Sequence, residues 1–416
     1  MKKTAFFVVL LMLFSMLGNV LAFAAPEEGN AAELTLLEGE YDMEYYTRYK
    51  DQGLTLNVYN WGEYISNGDD GSLDVNAAFE ELTGIDVVYS TFDTNESLYA
   101  KLKTGGSSYD VIIPSDYMIA RMIEEDMLRP INYENVPNFS YISPEYVNLD
   151  YDPENLYSVP YTWGTVGLIY NTTMIDPADA IDSWSVMWDE KYEGKILMFS
   201  NSKDAFGIAF KLLGDPINAE STEQIDRATE KLKEQKPLLQ AYVMDEIFDK
   251  MTGGEAAIAP YYAGDFVTMH EDNSDLAFVV PKEGSNIFTD AMCIPKDAKS
   301  PELAEMYINF MLEPEVGLAN IDYIGYSTPN SVVYALLDDE VKNDPVRYPD
   351  AELTGRCEYF VHTSSELARY MDEKWTELIS ADEAYGKLLM PLLLVLAVVV
   401  VLALAVIRSR RKKRQS

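Results

Sequence analysis

An α/β architecture of two lobes, exported from the cell and anchored by a C-terminal membrane helix, is the fold class the sequence predicts, and three observations predict it. Apolar strand patterns alternate with amphipathic helical ones between residues 54 and 312, the pattern of a mainly parallel sheet wrapped by helices. Roughly 330 ordered residues exceed what one hydrophobic core usually supports, so two lobes are expected. Both ends of the chain carry apolar runs flanked by basic residues.

At the N-terminus, Lys2 and Lys3 precede the apolar stretch from Ala5 to Leu17, and Ala22-Phe23-Ala24 supplies small residues for cleavage before Ala25. This reads as a signal peptide over 1–24. Residues 25–53 form an acidic, tyrosine-rich leader without a clear period. Near the other end, 388–407 holds no charge and is followed by Arg408, Arg410, Arg411, Lys412, Lys413 and Arg414. About 20 such residues span the ~30 Å hydrocarbon core of a bilayer, and a basic flank stays cytoplasmic. The expectation is a polar spacer over 381–387, a single-pass helix over 388–407, a cytoplasmic tail over 408–416 and an extracytoplasmic remainder. With no cysteine near the cleavage site to take a lipid, this helix is the expected anchor, an arrangement that suits a cell without an outer membrane.

Between these ends the elements follow in order. Leu54 to Tyr59 alternates as a strand, and a glycine-rich loop covers Ser66 to Ser72. Asp74 caps a helix whose apolar positions Val75, Ala78, Phe79 and Leu82 end at Gly84, the usual cap and stop residues. Strands are expected at 86–89 and 110–114, with a helix over 118–125. A second set places strands at 166–170, 195–199, 256–259 and 276–280, and helices at 204–213, 223–234 and 301–312. The last opens on Ser300 and Pro301, a cap followed by a first-turn proline.

Charge narrows the function. Residues 26–386 contain all 69 acidic residues but only 23 of the 32 basic ones, a balance of −46. Such a surface repels nucleic acid and favours cations. Only His270 and His362 are present, far apart, and no phosphate-cradling glycine loop, paired-cysteine metal spacing or nucleophile elbow occurs. No catalytic residue, metal site or cofactor is expected. Cys293 and Cys357 are either a bridge or two free thiols.

Aromatic side chains instead crowd the strand ends, in Tyr59-Asn60-Trp61-Gly62-Glu63-Tyr64, Ser115-Asp116-Tyr117, Tyr161-Thr162-Trp163-Gly164 and Pro260-Tyr261-Tyr262. Aromatics after strand ends suit a ligand cleft. From Leu54 to Leu378 the chain closely resembles the spermidine/putrescine-binding proteins of polyamine ABC importers. The strings that carry the likeness are Tyr59-Asn60-Trp61-x-Glu63-Tyr64, the run from Ser97 to Lys103, Gly325-Tyr326-Ser327-Thr328-Pro329-Asn330 and Tyr348-Pro349-Asp350-Ala351-Glu352.

The resemblance implies a two-lobed type II periplasmic-binding-protein fold that closes about a hinge. Lobe one would hold 54–163 and 289–334, lobe two 164–288 and 335–380. It implies a monomer that captures a polyamine between the lobes and delivers it to an ABC permease with its ATPase. Ligand residues carried over by position are Trp61 and Tyr64, Ser115 and Tyr117, Asp290 as the central carboxylate, Asp204 on a family glutamate, and Tyr326. Tyr262 and Phe288 stand where the best-known members have tryptophans. Asn201 replaces an aspartate of some members, and Phe360 falls on a family glutamine, with Glu358 nearby as a substitute. Carboxylates answer ammonium groups, and aromatic faces cover methylenes while attracting the adjacent cation. A receptor for another cationic solute and a cell-surface sensor module are the alternatives.

Overall fold

The computed structural model describes residues 41–105 and 108–380. Nine strands occur there: β1 (Thr55–Trp61), β2 (Asp86–Phe92), β3 (Val111–Ile112), β4 (Ser158–Asn171), β5 (Ile196–Phe199), β6 (Leu239–Val243), β7 (Ile258–Tyr262), β8 (Leu276–Val279) and β9 (Ile287–Cys293). They run in the order β2-β1-β3-β9-β4-β7-β5-β6, with β8 also on β4.

Parallel pairing is confined to the two flanks, β2-β1-β3 and β6-β5-β7, while β9 and β4 cross the middle antiparallel to their neighbours. The sheet is therefore mixed, where the sequence pattern suggested a mainly parallel one. The joint is β4. Its first half, Ser158 to Thr165, pairs with β9, and its second half, Val166 to Asn171, pairs with β7 and β8. One strand thus belongs to both halves of a two-lobed α/β molecule. Its residues are nearly all buried, which explains why a continuous strand carries none of the usual polar alternation.

The helices start and stop where local chemistry allows. In α1 (Val75–Thr83) the Asp74 carboxylate accepts the Ala77 N–H and Gly84 closes the helix at φ +70°. Thr94 and Ser97 form a capping box at α2 (Asn95–Thr104). Ser115 precedes α3 (Asp116–Glu124), and Asn201 caps α4 (Ser202–Leu213) by accepting the Lys203 N–H. Next comes α5 (Thr222–Gln235), and α6 (Ala263–Asp272) follows β7 directly. Beneath the first lobe, Leu98, Ile112, Ile119, Met122 and Cys293 pack at zero exposure. Cys293 and Cys357 are both free thiols.

Two expectations need correction. Among the described residues no helix is long and apolar enough to cross a membrane, so the fold class described is the two-lobed α/β body alone, and the expected single-pass membrane placement is corrected to that extent. The physical reason is length and facing: the longest helical run described, 365–380, has 16 residues and exposes Glu366, Arg369, Asp372, Glu373 and Glu377, where about 20 apolar residues are needed. The stretches 1–24, 388–407 and 408–416 lie outside the described residues. Within the leader, Tyr46 is 1 % exposed and its hydroxyl donates to Glu313 at 2.6 Å, so packed structure begins before Leu54.

Candidate functional site

The C-terminal ends of the parallel strands on both flanks converge on one cleft, the place where open α/β sheets bind ligands. From the first flank come Trp61 to Tyr64 after β1, and Ser115, Asp116 and Tyr117 after β3. The other flank supplies Asn201 and Asp204 after β5, Asp245 after β6, and Tyr262 and Asp265 at the junction of β7 with α6. Phe288 and Asp290 stand on β9, and Tyr326 and Phe360 complete the wall.

Asp290 is 4 % exposed. Its Oδ2 accepts the Tyr64 hydroxyl at 2.6 Å, and Tyr64 also bonds Thr162 of β4. Oδ1 is buried with no hydrogen-bond partner. The Ser115 hydroxyl accepts from Asn95 at 3.0 Å and also steadies the carboxylate. Burial pushes the Asp290 carboxyl up to about 6, with Tyr64 and Ser115 opposing that rise. A half-satisfied buried carboxylate is costly, and it draws a cationic hydrogen-bond donor.

Asp204 is 6 % exposed and better supplied. Its Oδ2 accepts Asn201 Nδ2 at 2.7 Å and the Tyr262 hydroxyl at 3.2 Å. Burial, helped by the nearby Glu96 and Asp290, pushes it up to about 7, while Tyr262 and Lys203 hold it down. Asn201 thus both caps α4 and aims Asp204.

Rings form the rest of the box. Tyr64 and Tyr326 meet edge-to-face at 4.8 Å, Tyr262 and Phe288 at 5.5 Å, and Tyr117 and Phe360 at 6.0 Å. Trp61 leans on Phe92 at 4.5 Å, and its indole N–H is buried without a partner. Gly264 makes one approach possible, because a Cβ there would meet the Tyr326 ring at 2.1 Å.

Of the residues singled out from the sequence, the fold brings Trp61, Tyr64, Ser115, Tyr117, Asn201, Asp204, Tyr262, Phe288, Asp290, Tyr326 and Phe360 to this cleft. Glu358 is not among the lining residues. Its carboxylate pairs with Lys211 at 2.5 Å and accepts the Ile217 N–H at 3.2 Å, so the protein's own donors use it. Sequence reasoning missed Asp265, whose Oδ2 accepts the Tyr326 hydroxyl at 3.0 Å and whose carboxyl burial pushes well above the usual range. It missed Asp116 too, buried and pushed up to about 8, which accepts the backbone N–H groups of Tyr117 and Thr289 at 2.6 and 3.1 Å. Glu63 and Asp245 add charge. No lysine or arginine lines the cleft among the described residues.

Comparison with known proteins agrees with this geometry. A family model described as bacterial extracellular solute-binding protein matches residues 75–348. A spermidine/putrescine-binding periplasmic protein of Salmonella typhimurium is 36% identical over 306 residues, covering 73% of this chain and 86% of the relative. A solved chain from Listeria monocytogenes superposes with a TM-score of 0.74 at 37% identity, covering 78% of this chain and 98% of that one. The spermidine/putrescine ABC transporter substrate-binding protein PotD of Streptococcus pneumoniae does so with a TM-score of 0.65, at the same identity and coverage.

Proposed function

Because this chain belongs to the bacterial extracellular solute-binding protein family, we propose that it captures a polyamine outside the cytoplasm and delivers it to an ABC importer. The observation that carries the reading is the free Oδ1 of buried Asp290, set among rings in a cleft without a basic lining residue among those described. An anionic solute would be repelled there, and a neutral donor would answer the oxygen without matching its charge. An ammonium answers it, and its methylenes lie on Tyr64, Tyr262, Phe288 and Tyr326.

On this reading Asp290 takes one ammonium and Asp265 or Asp204 a second one from the other flank. Contacts from both flanks make the ligand favour a closed state. The lobes divide as 54–163 with 289–334 and 164–288 with 335–380, hinged where β4 changes partners. Closure rather than chemistry is then what the permease reads, so the protein binds and hands over without catalysis.

A thermal-shift panel on the full chain with putrescine, spermidine, lysine and arginine tests this. A polyamine at ~100 times its dissociation constant should add about 2.7 kcal/mol of stability, and the amino acids should add none. A response to lysine or arginine with none to either polyamine would sink the reading.

A further inference from the structure

One ring borders three spaces. Phe360 lines the ligand cleft, a gap with room for about one water beside Gly207 and Ile217, and an open groove beside Tyr151 and His362. The ring is 6 % exposed and stands edge-on to Tyr117. It rests on Gly207, where a Cβ would come within 2.9 Å of its Cζ. Phe360 is thus the partition that keeps the ligand cleft from opening into the space behind it.

Lys203 reaches this partition from α4. The residue is 8 % exposed. Its ammonium lies 4.5 Å from the centre of the Tyr117 ring and 4.9 Å from that of Phe360, and it donates to the Val361 carbonyl at 3.2 Å. Two aromatic faces and a carbonyl form a cation station, and the protein's own side chain occupies it. The carboxylates whose fields reach Lys203 are Glu96, Asp116, Asp204 and Asp372, so the fold supplies this end with a cation of its own. Around Asp290 and Asp265 the lining residues bring no such cation.

Resting on the polyamine reading, we infer that Lys203 fills from within the station a further ligand ammonium would use, and with Phe360 ends the cleft, so that the site selects a diamine over longer linear polyamines. A third or fourth ammonium must either face Lys203, a like charge in a buried setting, or remain at the mouth. Like-charge juxtaposition disfavours the wrong partner strongly.

Titration calorimetry of the full chain with putrescine, spermidine and spermine tests the inference. Affinity should fall in that order, with spermine on the order of tenfold weaker than putrescine. Lys203→Met should raise the spermine-to-putrescine affinity ratio about tenfold, while Lys203→Arg, which keeps the station filled, should leave the ranking as it is. Phe360→Ala opens the partition and reads the same ratio if Lys203→Met does not fold. Equal affinities in the wild type, or a ratio unmoved in folded Lys203→Met or Phe360→Ala, overturn the inference while leaving polyamine binding intact. A wild type that binds none of the three overturns both.

Discussion

Asp204 and Asp290 are carboxylates of similar burial in the same cleft, yet their surroundings differ. Asp204 meets the ligand space with Asn201 and Tyr262 on one oxygen and the Lys203 charge nearby. Asp290 has Tyr64 on Oδ2, a buried Oδ1 without a hydrogen bond, and the Ser115 hydroxyl as its other steadying group. Two donors hold Asp204 in the wall, both on Oδ2. A buried oxygen without a hydrogen bond, as Asp290 Oδ1 is, stores an unfavourable desolvation that a bound cation relieves. The difference is how firmly each carboxylate is held before a ligand arrives.

The largest effect expected from that contrast is at Asp290. Asp290→Asn keeps an acceptor for the Tyr64 hydroxyl but removes the charge, leaving a ligand ammonium buried without its partner. Loss of one member of such a pair costs about 2–5 kcal/mol, so putrescine affinity should fall on the order of 10²- to 10³-fold. The free protein should lose no melting temperature, because burying the ionised carboxylate was unfavourable to begin with. Unchanged affinity by calorimetry would end the assignment of Asp290 as the receptor group.

An intermediate effect comes from pH. Burial raises both carboxyls above the ordinary aspartate range, Asp290 to about 6 and Asp204 to about 7. A group whose pKa is raised by folding stabilises the folded state below its unfolded pKa, and that contribution is lost as pH rises through the folded value. The ligand-free protein should therefore lose stability between about pH 4 and pH 7, through these two groups. Ligand binding runs the other way, since an ammonium prefers the ionised acids. Putrescine should bind about tenfold more weakly at pH 5 than at pH 7.5, and Asp290→Asn should flatten that dependence. Tighter binding at pH 5 would mean that neutral carboxyls hold the ligand.

How much of this was legible in the sequence depended on where each residue sits along its element. Trp61 ends β1 and Tyr64, Ser115 and Tyr117 lie a few residues past strand ends, and a side chain at or just past a strand end in an α/β sheet has few places to point other than the cleft. Asp265 lies in the first turn of α6, where helical period alone cannot say which face turns inward. The reach of β4 was hidden because Pro160 and Gly164 punctuate it. The strand absorbs Pro160 at an irregularity in its pairing with β9, and Gly164 admits the Phe288 ring, whose Cζ would lie 3.1 Å from a Cβ there. β9 went unread because Asp290 interrupts its apolar run, so the residue that concealed the strand is the one the site is built around.

The smallest effect sharpens the contrast from outside the cleft. Glu358 was expected to substitute for a ligand-facing amide, on its position in the chain alone. In the fold the Ser285 carbonyl accepts its backbone N–H at 2.9 Å and its carbonyl accepts the Ile287 N–H at 3.1 Å, which ties the segment to the start of β9 while the side chain turns to Lys211 and Ile217. Glu358→Gln should leave putrescine affinity within about twofold and cost about 0.5–1 kcal/mol of stability, the range for a partly exposed ion pair. Calorimetry and denaturant unfolding on the same sample separate the two readouts. A tenfold loss of affinity at unchanged stability would return Glu358 to the ligand.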